Sequence, residues 1–151
     1  MTAITVSPQM TTTKVRKSGP ISVRLSAEAY EAVEEWAGRS GRALGTMVGE
    51  LVEEAVRMRR FPGIVFSGPP GDRRARVVGG PDVWEIVAVW RASGDEARTL
   101  ELLEHVSQTQ LATALRYYRA HSEEIDRQIA ENERSQEAWE RLYPHLVAPD
   151  A

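Results

Sequence analysis

Hydrogen-bonding side chains at Ser22 and Arg24 alternate with apolar ones at Ile21, Val23 and Leu25, and the run stops at Ser26. Successive residues of a strand point to opposite faces, so this spacing puts a serine and an arginine on one side and the apolar groups on the other. Arginine can donate two parallel hydrogen bonds to a guanine edge, serine can bond several base edges, and a two-stranded ribbon is one of the few elements that fits the DNA major groove. The chemistry these residues suit is base reading. A strand this short, with no neighbour in sequence to pair with, cannot satisfy its own backbone groups, so the pattern also calls for a second copy of the chain across a dimer axis.

A second constellation lies late in the chain, where Arg127, Arg134 and Arg141 recur every seven residues and so share a helix face. On residue types alone they are a solvated face, with Glu123 before Arg127 and Glu137 before Arg141 as i,i+4 pairs worth about 0.3–0.5 kcal/mol each, or a cationic stripe offered to a partner. Ile129, Trp139, Leu142 and Tyr143 are the large apolar side chains of the same stretch that could anchor such a partner. Catalysis has little footing. His105, His121 and His145 are not at metal-ligand spacing, and neither a phosphate-cradling Gly-Lys motif nor a nucleophile elbow is present. Glu123, Glu124 and Asp126 cluster at a helix start, where acidic residues are ordinary. No catalytic residue, metal site or cofactor is expected.

The elements that must hold these groups are legible in the pattern. Residues 1–19, with Thr11-Thr12-Thr13 and no apolar periodicity, read as a disordered basic arm, either an inert tail or one that tracks the DNA backbone with Lys17 as a contact. Ser26 is an N-cap with Glu28 in the first turn; Tyr30, Val33, Trp36 and Ala37 follow at helical spacing, and Gly41 is a stop. A second helix repeats Met47, Val48, Leu51, Val52 and Ala55 and ends at Arg57, Arg59 and Arg60. Trp36 and Val48 are read as core. Past Phe61-Pro62-Gly63, two short apolar runs flank the hairpin loop Ser67-Gly68-Pro69-Pro70-Gly71-Asp72. Arg73, Arg74 and Arg76 on that hairpin suit either a DNA-touching wing or a solvated basic strand. Asp82 and Ser107 can cap helices, and Ser93-Gly94 marks a turn between them. A hairpin and three short helices make a small winged helix-turn-helix arrangement the natural guess over residues 61–121. Residues 122–151 read as a mobile helical tail whose sparse apolar stripe buries too little to hold it, and which wants a partner.

Composition bounds the remaining choices. Hydrophobic content of 42% with 27% charged residues is that of a globular chain, so part of it must bury a core. Absence of cysteine rules out disulfides and thiolate metal sites. No apolar run approaches the roughly 18–20 residues that span a bilayer, and the N-terminus lacks a secretory apolar core, so a soluble cytoplasmic protein with no membrane contact is expected. The net charge of -3 is unevenly spread. Residues 1–26 hold Lys14, Arg16, Lys17 and Arg24 without an acidic side chain, whereas acidic residues outnumber arginines from 93 onward, so the two ends suit different partners.

Residues 20–60 resemble the ribbon-helix-helix DNA-binding fold of the Arc and Met-repressor group, through the strand Ile21–Leu25, the Ser26 cap, the Tyr30/Val33/Ala37 face, the Ser40-Gly41-Arg42 turn and the Met47/Val48/Val52 face. The resemblance implies a homodimer whose core holds Ile21, Val23, Leu25, Trp36, Val48, Leu51 and Val52. It puts Ser22 and Arg24 on operator bases, with a third reading position on Pro20, which has no side-chain hydrogen bond to offer. At the start of the second helix, where the group tends to hold phosphate with serine or threonine, this chain has Ala43 and Gly45, leaving Arg42 and Thr46 to assist. Residues 61–130 are similar to a small helix-turn-helix domain found on the antitoxin side of bacterial toxin-antitoxin pairs beside PIN-like ribonucleases, through Gly79-Gly80-Pro81-Asp82-Val83-Trp84-Glu85-Ile86-Val87, Ala114-Leu115-Arg116-Tyr117-Tyr118 and Glu123-Glu124-Ile125. Together the resemblances imply a mainly α type II antitoxin: a dimer, open to higher assembly, that represses its promoter and binds its toxin through Ile129, Trp139, Leu142, Tyr143, Arg127, Arg134 and Arg141. Such nucleases hold metal with carboxylates, which a tail arginine would neutralise. The rival reading is a stand-alone ribbon-helix-helix regulator whose C-terminal part senses a ligand or assembles dimers.

Overall fold

A computed structural model of the chain describes residues 19–142, and Lys17 and Tyr143 lie outside that range. The described chain is mainly helical, with helices α1 (Ala27–Ser40), α2 (Leu44–Arg60), α3 (Val83–Ser93), α4 (Glu96–Leu102), α5 (Gln108–Ala120) and α6 (Ser122–Leu142). Strands β1 (Ile64–Ser67) and β2 (Arg74–Val77) sit between α2 and α3 and pair antiparallel, Ile64 opposite Val77 and Ser67 opposite Arg74.

Local chemistry sets the helix ends. Ser26 Oγ accepts from the Ala29 N–H at 3.2 Å to start α1. Gly41 ends it at φ 63°, a left-handed conformation that glycine adopts without a Cβ penalty, and the Arg42 N–H then reaches back to the Ala37 carbonyl at 2.9 Å. Asp82 with Glu85, and Ser107 with Gln110, form reciprocal capping boxes at α3 and α5. Gly94, again left-handed, closes α3.

Two separate cores result. Val33, Ala37 and Met47 are buried between α1 and α2, with Leu44, Val48 and Leu51 partly covered around them. The larger core gathers Ile64, Ala75 and Val77 from the hairpin, Val83, Ile86 and Val87 from α3, Leu111, Ala114, Leu115 and Tyr117 from α5, and Ile125 and Ile129 from α6.

Three expectations are corrected here. Residues 19–25 form neither strand nor helix in the single chain, and both of its strands follow α2; a lone strand has no ladder to complete. The second unit does not close at 121, because the first turns of α6 supply Ile125, Gln128 and Ile129 to its interior, and the exposed tail begins only at about residue 130. Within the single chain Trp36 is outside the core: Val33 and Ala37, one turn apart, form the buried stripe, and Trp36 lies beside it, 42% exposed.

Candidate nucleic-acid and partner interfaces

Ile21, Val23 and Leu25 line one side of an open apolar groove of about 540 Å³ whose other walls are Tyr30 of α1 and Leu44, Val48 and Val52 of α2. The alternation read in the sequence is therefore present in space: every second residue of 21–25 faces the groove, while Ser22 and Arg24 are exposed and take no part in its lining. Ile21 stays 83% exposed, Val23 56% and Val52 52%, so the face is apolar and uncovered within one chain. Arg24 is in no ion pair among the described residues, which leaves its guanidinium free to donate. At the start of α2, Ala43 gives no side-chain cap and Gly45 and Thr46 are exposed, so the helix opens on bare N–H groups.

Arg42 is placed differently from its expected role as a phosphate ligand. Its guanidinium pairs with Glu50 of α2 and lies over Gly71 of the hairpin loop, where a Cβ would fall 2.7 Å from it. Arg42 thus fastens the α1–α2 turn to the hairpin. Arg73, offered by the sequence as a wing residue, has a similar task. It holds Glu54 with two bonds of 2.8 and 2.9 Å and donates to the Phe66 and Gly68 carbonyls. Arg74 pairs with Asp72, and Arg76 donates to the Gly80 carbonyl at 2.8 Å. Trp36, Met47, Leu51 and Pro70 line a smaller cleft of about 290 Å³ beside these pairs.

Between α2, α5 and α6 lies a polar cluster that sequence reading missed. Arg57 donates to the Glu124 carboxylate at 2.7 Å and to the Tyr117 hydroxyl at 3.2 Å, and that hydroxyl donates to the other oxygen of Glu124 at 3.1 Å. The Tyr117 ring is fully buried and meets Phe61 edge-on at 5.2 Å and His121 at 4.5 Å. Burial, then the charge of Glu124, pushes the Tyr117 phenol well above the ordinary tyrosine range, so it stays a neutral donor. Burial, then the nearby charge of Arg57, lowers the pKa of His121. Arg57 stands 60 and 67 positions from its partners Tyr117 and Glu124, so no local spacing in the sequence signals the cluster.

The tail residues divide. Ile129 is buried in its own unit and is not on a partner-facing surface, a correction to its expected role that follows from its helical spacing with Ile125. Arg127, Arg134 and Arg141 are exposed and, among the described residues, in no ion pair, so the expected Glu123–Arg127 and Glu137–Arg141 bridges are absent; Gln136 bonds Glu140 instead, at 2.9 Å. Trp139 is 54% and Leu142 71% exposed. Among the described residues there is no acidic or histidine cluster fit to hold a metal, and no helix long and apolar enough to cross a membrane. The chain matches no protein-family model, no curated protein and no solved structure.

Proposed function

We propose that the chain is the antitoxin of a type II toxin-antitoxin pair. Two copies join through residues 21–56 to read operator DNA and repress their own promoter, and the exposed half of α6 occupies a PIN-like ribonuclease toxin. The observation that carries this reading is the uncovered groove. Its apolar wall at Ile21, Val23 and Leu25 is what a second copy would cover, and closure by a twin segment would pair the backbone of residues 21–25 into a ribbon while Ser22 and Arg24 stay on the outside. A ribbon bearing two copies of each would meet a two-fold related site in one major groove. The resemblance of residues 61–130 to antitoxin-side helix-turn-helix domains supplies the toxin class. We read the hairpin followed by α3, α4 and α5 as a small winged helix-turn-helix unit.

The test is recovery of the tagged full chain from its native cell extract at moderate salt, with mass spectrometry of what it retains. A nuclease-like protein at near-equal yield, lost on Trp139→Ala or Leu142→Ala, supports the reading; a chain recovered only with itself and DNA while the partner gene is expressed refutes the toxin half.

A second reading is favoured by one observation. Ile125 and Ile129 lock the first half of α6 into the second unit, and a charged cleft of about 370 Å³ lies beside it, walled by Arg57, Arg73, Arg127 and Glu131. A stand-alone regulator that senses a polar ligand would place its site there, between the DNA-facing helices and the tail. Toxin recovery in the same experiment decides between the two.

A further inference from the structure

Two stretches free of acidic side chains, residues 55–71 and 105–122, fold against each other. The first contributes Arg59 and Arg60 from the end of α2; the second contributes Arg116 and Arg119 from α5. They meet around the turn at Phe61 and Pro62: Arg116 donates to the Pro62 carbonyl at 3.2 Å, its guanidinium stands 6.0 Å from the centre of the Phe61 ring, and that ring meets His121 edge-on at 5.5 Å. All these arginines are exposed, and none is in an ion pair among the described residues. By contrast, Arg42, Arg57, Arg73, Arg74, Arg76, Arg91 and Arg98 each have a carboxylate partner. Arg24, Arg127, Arg134 and Arg141 are likewise unpaired among the described residues, but only here do four unpaired arginines stand on two adjoining stretches that hold no acidic side chain.

Helix-end electrostatics do not account for the gathering. The C-terminus of α2 and that of α5 each present the equivalent of about half a negative charge, roughly one in total, against the charge of four arginines.

We infer that the Arg59, Arg60, Arg116 and Arg119 surface binds the phosphate backbone of duplex DNA, separately from the ribbon. Charge complementarity selects the occupant: guanidinium groups pair with phosphate oxygens. The α2 residues that share the groove with Ile21, Val23 and Leu25 fall within Leu44–Glu53, and Arg59 and Arg60 lie beyond them, at the far end of a helix about 25 Å long. It therefore meets a different stretch of backbone from the one beside the ribbon. The inference stands whether or not the ribbon reads an operator.

The experiment measures binding of the full chain to a fluorescent 30-base-pair duplex of arbitrary sequence, by anisotropy, over a salt series. Arg60→Gln/Arg119→Gln is the test variant, because neither side chain has a hydrogen-bonded partner among the described residues and the fold should survive; unchanged circular dichroism and urea midpoint check this. Each phosphate contact contributes about 0.9 to the slope of log affinity against log salt, so the variant should lose about 2 from that slope and about tenfold in affinity near 0.1 M salt. Arg24→Ala is run beside it. Loss in the patch variant with Arg24→Ala unaffected assigns the sequence-independent binding to the patch and keeps this inference, whatever the ribbon does at an operator. An unchanged slope with affinity within about twofold in the patch variant overturns the inference, as does a parent chain that fails to bind the duplex at low salt. Full DNA affinity with lost binding to poly-glutamate would assign the patch to an acidic protein instead, and also overturns it.

Discussion

Ile21→Ala should dissociate the dimer while leaving each protomer folded. Ile21 is 83% exposed in the single chain and touches neither core, so its truncation removes almost nothing from the protomer's own stability. In a dimer closed over the groove it would be covered, and full burial of such a side chain is worth about 1.5–3 kcal/mol. Truncation to alanine gives up most of that. With incomplete coverage a loss of about 1–2 kcal/mol per copy is reasonable, and two copies per dimer make it about 2–4 kcal/mol, or roughly a 30- to 1000-fold rise in the dimer dissociation constant. Ser22→Ala is the matched control, because Ser22 adjoins Ile21 and takes no part in lining the groove; it should leave dimer affinity within about threefold. Sedimentation equilibrium over a wide concentration range, with circular dichroism to confirm helicity, reads both. A parent chain that is monomeric at tens of micromolar, or an Ile21→Ala dimer as tight as the parent, would refute the assignment of the groove to a second copy.

The pH response is set by His121, whose proton affinity burial and then Arg57 hold below the ordinary histidine value of 6.5. The unfolded chain then binds that proton more readily than the folded one, so stability should be level above about pH 7 and fall as the pH drops below 6.5 toward the folded-state value. Urea midpoints of the parent and of His121→Gln across this range should converge at low pH, and a parent more stable at pH 5 than at pH 7.5 would contradict the burial argument. Gly68→Ala should lower stability by about 1–3 kcal/mol, since φ is 108° and a Cβ would stand 2.5 Å from the Asp72 carbonyl oxygen. Gly94→Ala, at φ 72° with open space around it, should cost only about 1 kcal/mol, and thermal melts showing the reverse order would count against the hairpin-loop geometry. Glu54→Arg should cost about 1–3 kcal/mol by setting a cation against Arg73, and adding Arg73→Glu should restore about half of it; no recovery in the exchanged pair would mean that the bidentate bridge does not couple the two units.

What was legible in the sequence was mostly local. Ser26, Asp82 and Ser107 as caps and Gly41 and Gly94 as stops depend on backbone groups within a turn of each residue, and each stands where residue type placed it. The hairpin over Ile64–Val77 was likewise announced by its Pro-Gly loop. Trp36 misled because an amphipathic face is broad: Val33, Trp36 and Ala37 all sit on it, and only the position of α2 decides which of them is covered. The Ile125–Ile129 spacing held a buried two-turn stripe, but the polar residues that follow made the whole segment look like a free tail. Arg42, Arg57 and Arg73 could not have been assigned from sequence, because their partners come from the tertiary fold, in the case of Arg57 from 67 residues away. A guanidinium reads the same on paper whether it holds a carboxylate or waits for a phosphate.

The recurring element in these outcomes is α2, which carries different chemistry on each of its faces. Met47 and Leu51 face α1 and join the smaller core. Val48 and Val52 turn toward the open groove. Glu50, Glu54 and Arg57, at helical spacing on the remaining face, take Arg42, Arg73 and Glu124 as partners and so bind the first unit to the hairpin and to α6. Charged bridges suit that third face better than an apolar seam would, because they demand particular partners at particular distances and so set the register of one unit on the other. An apolar seam there would have merged the cores and left a helix greasy on every side, prone to pair through the wrong face. Dividing α2 into a core face, an open apolar face and a bridged face leaves one surface for a second copy to recognise.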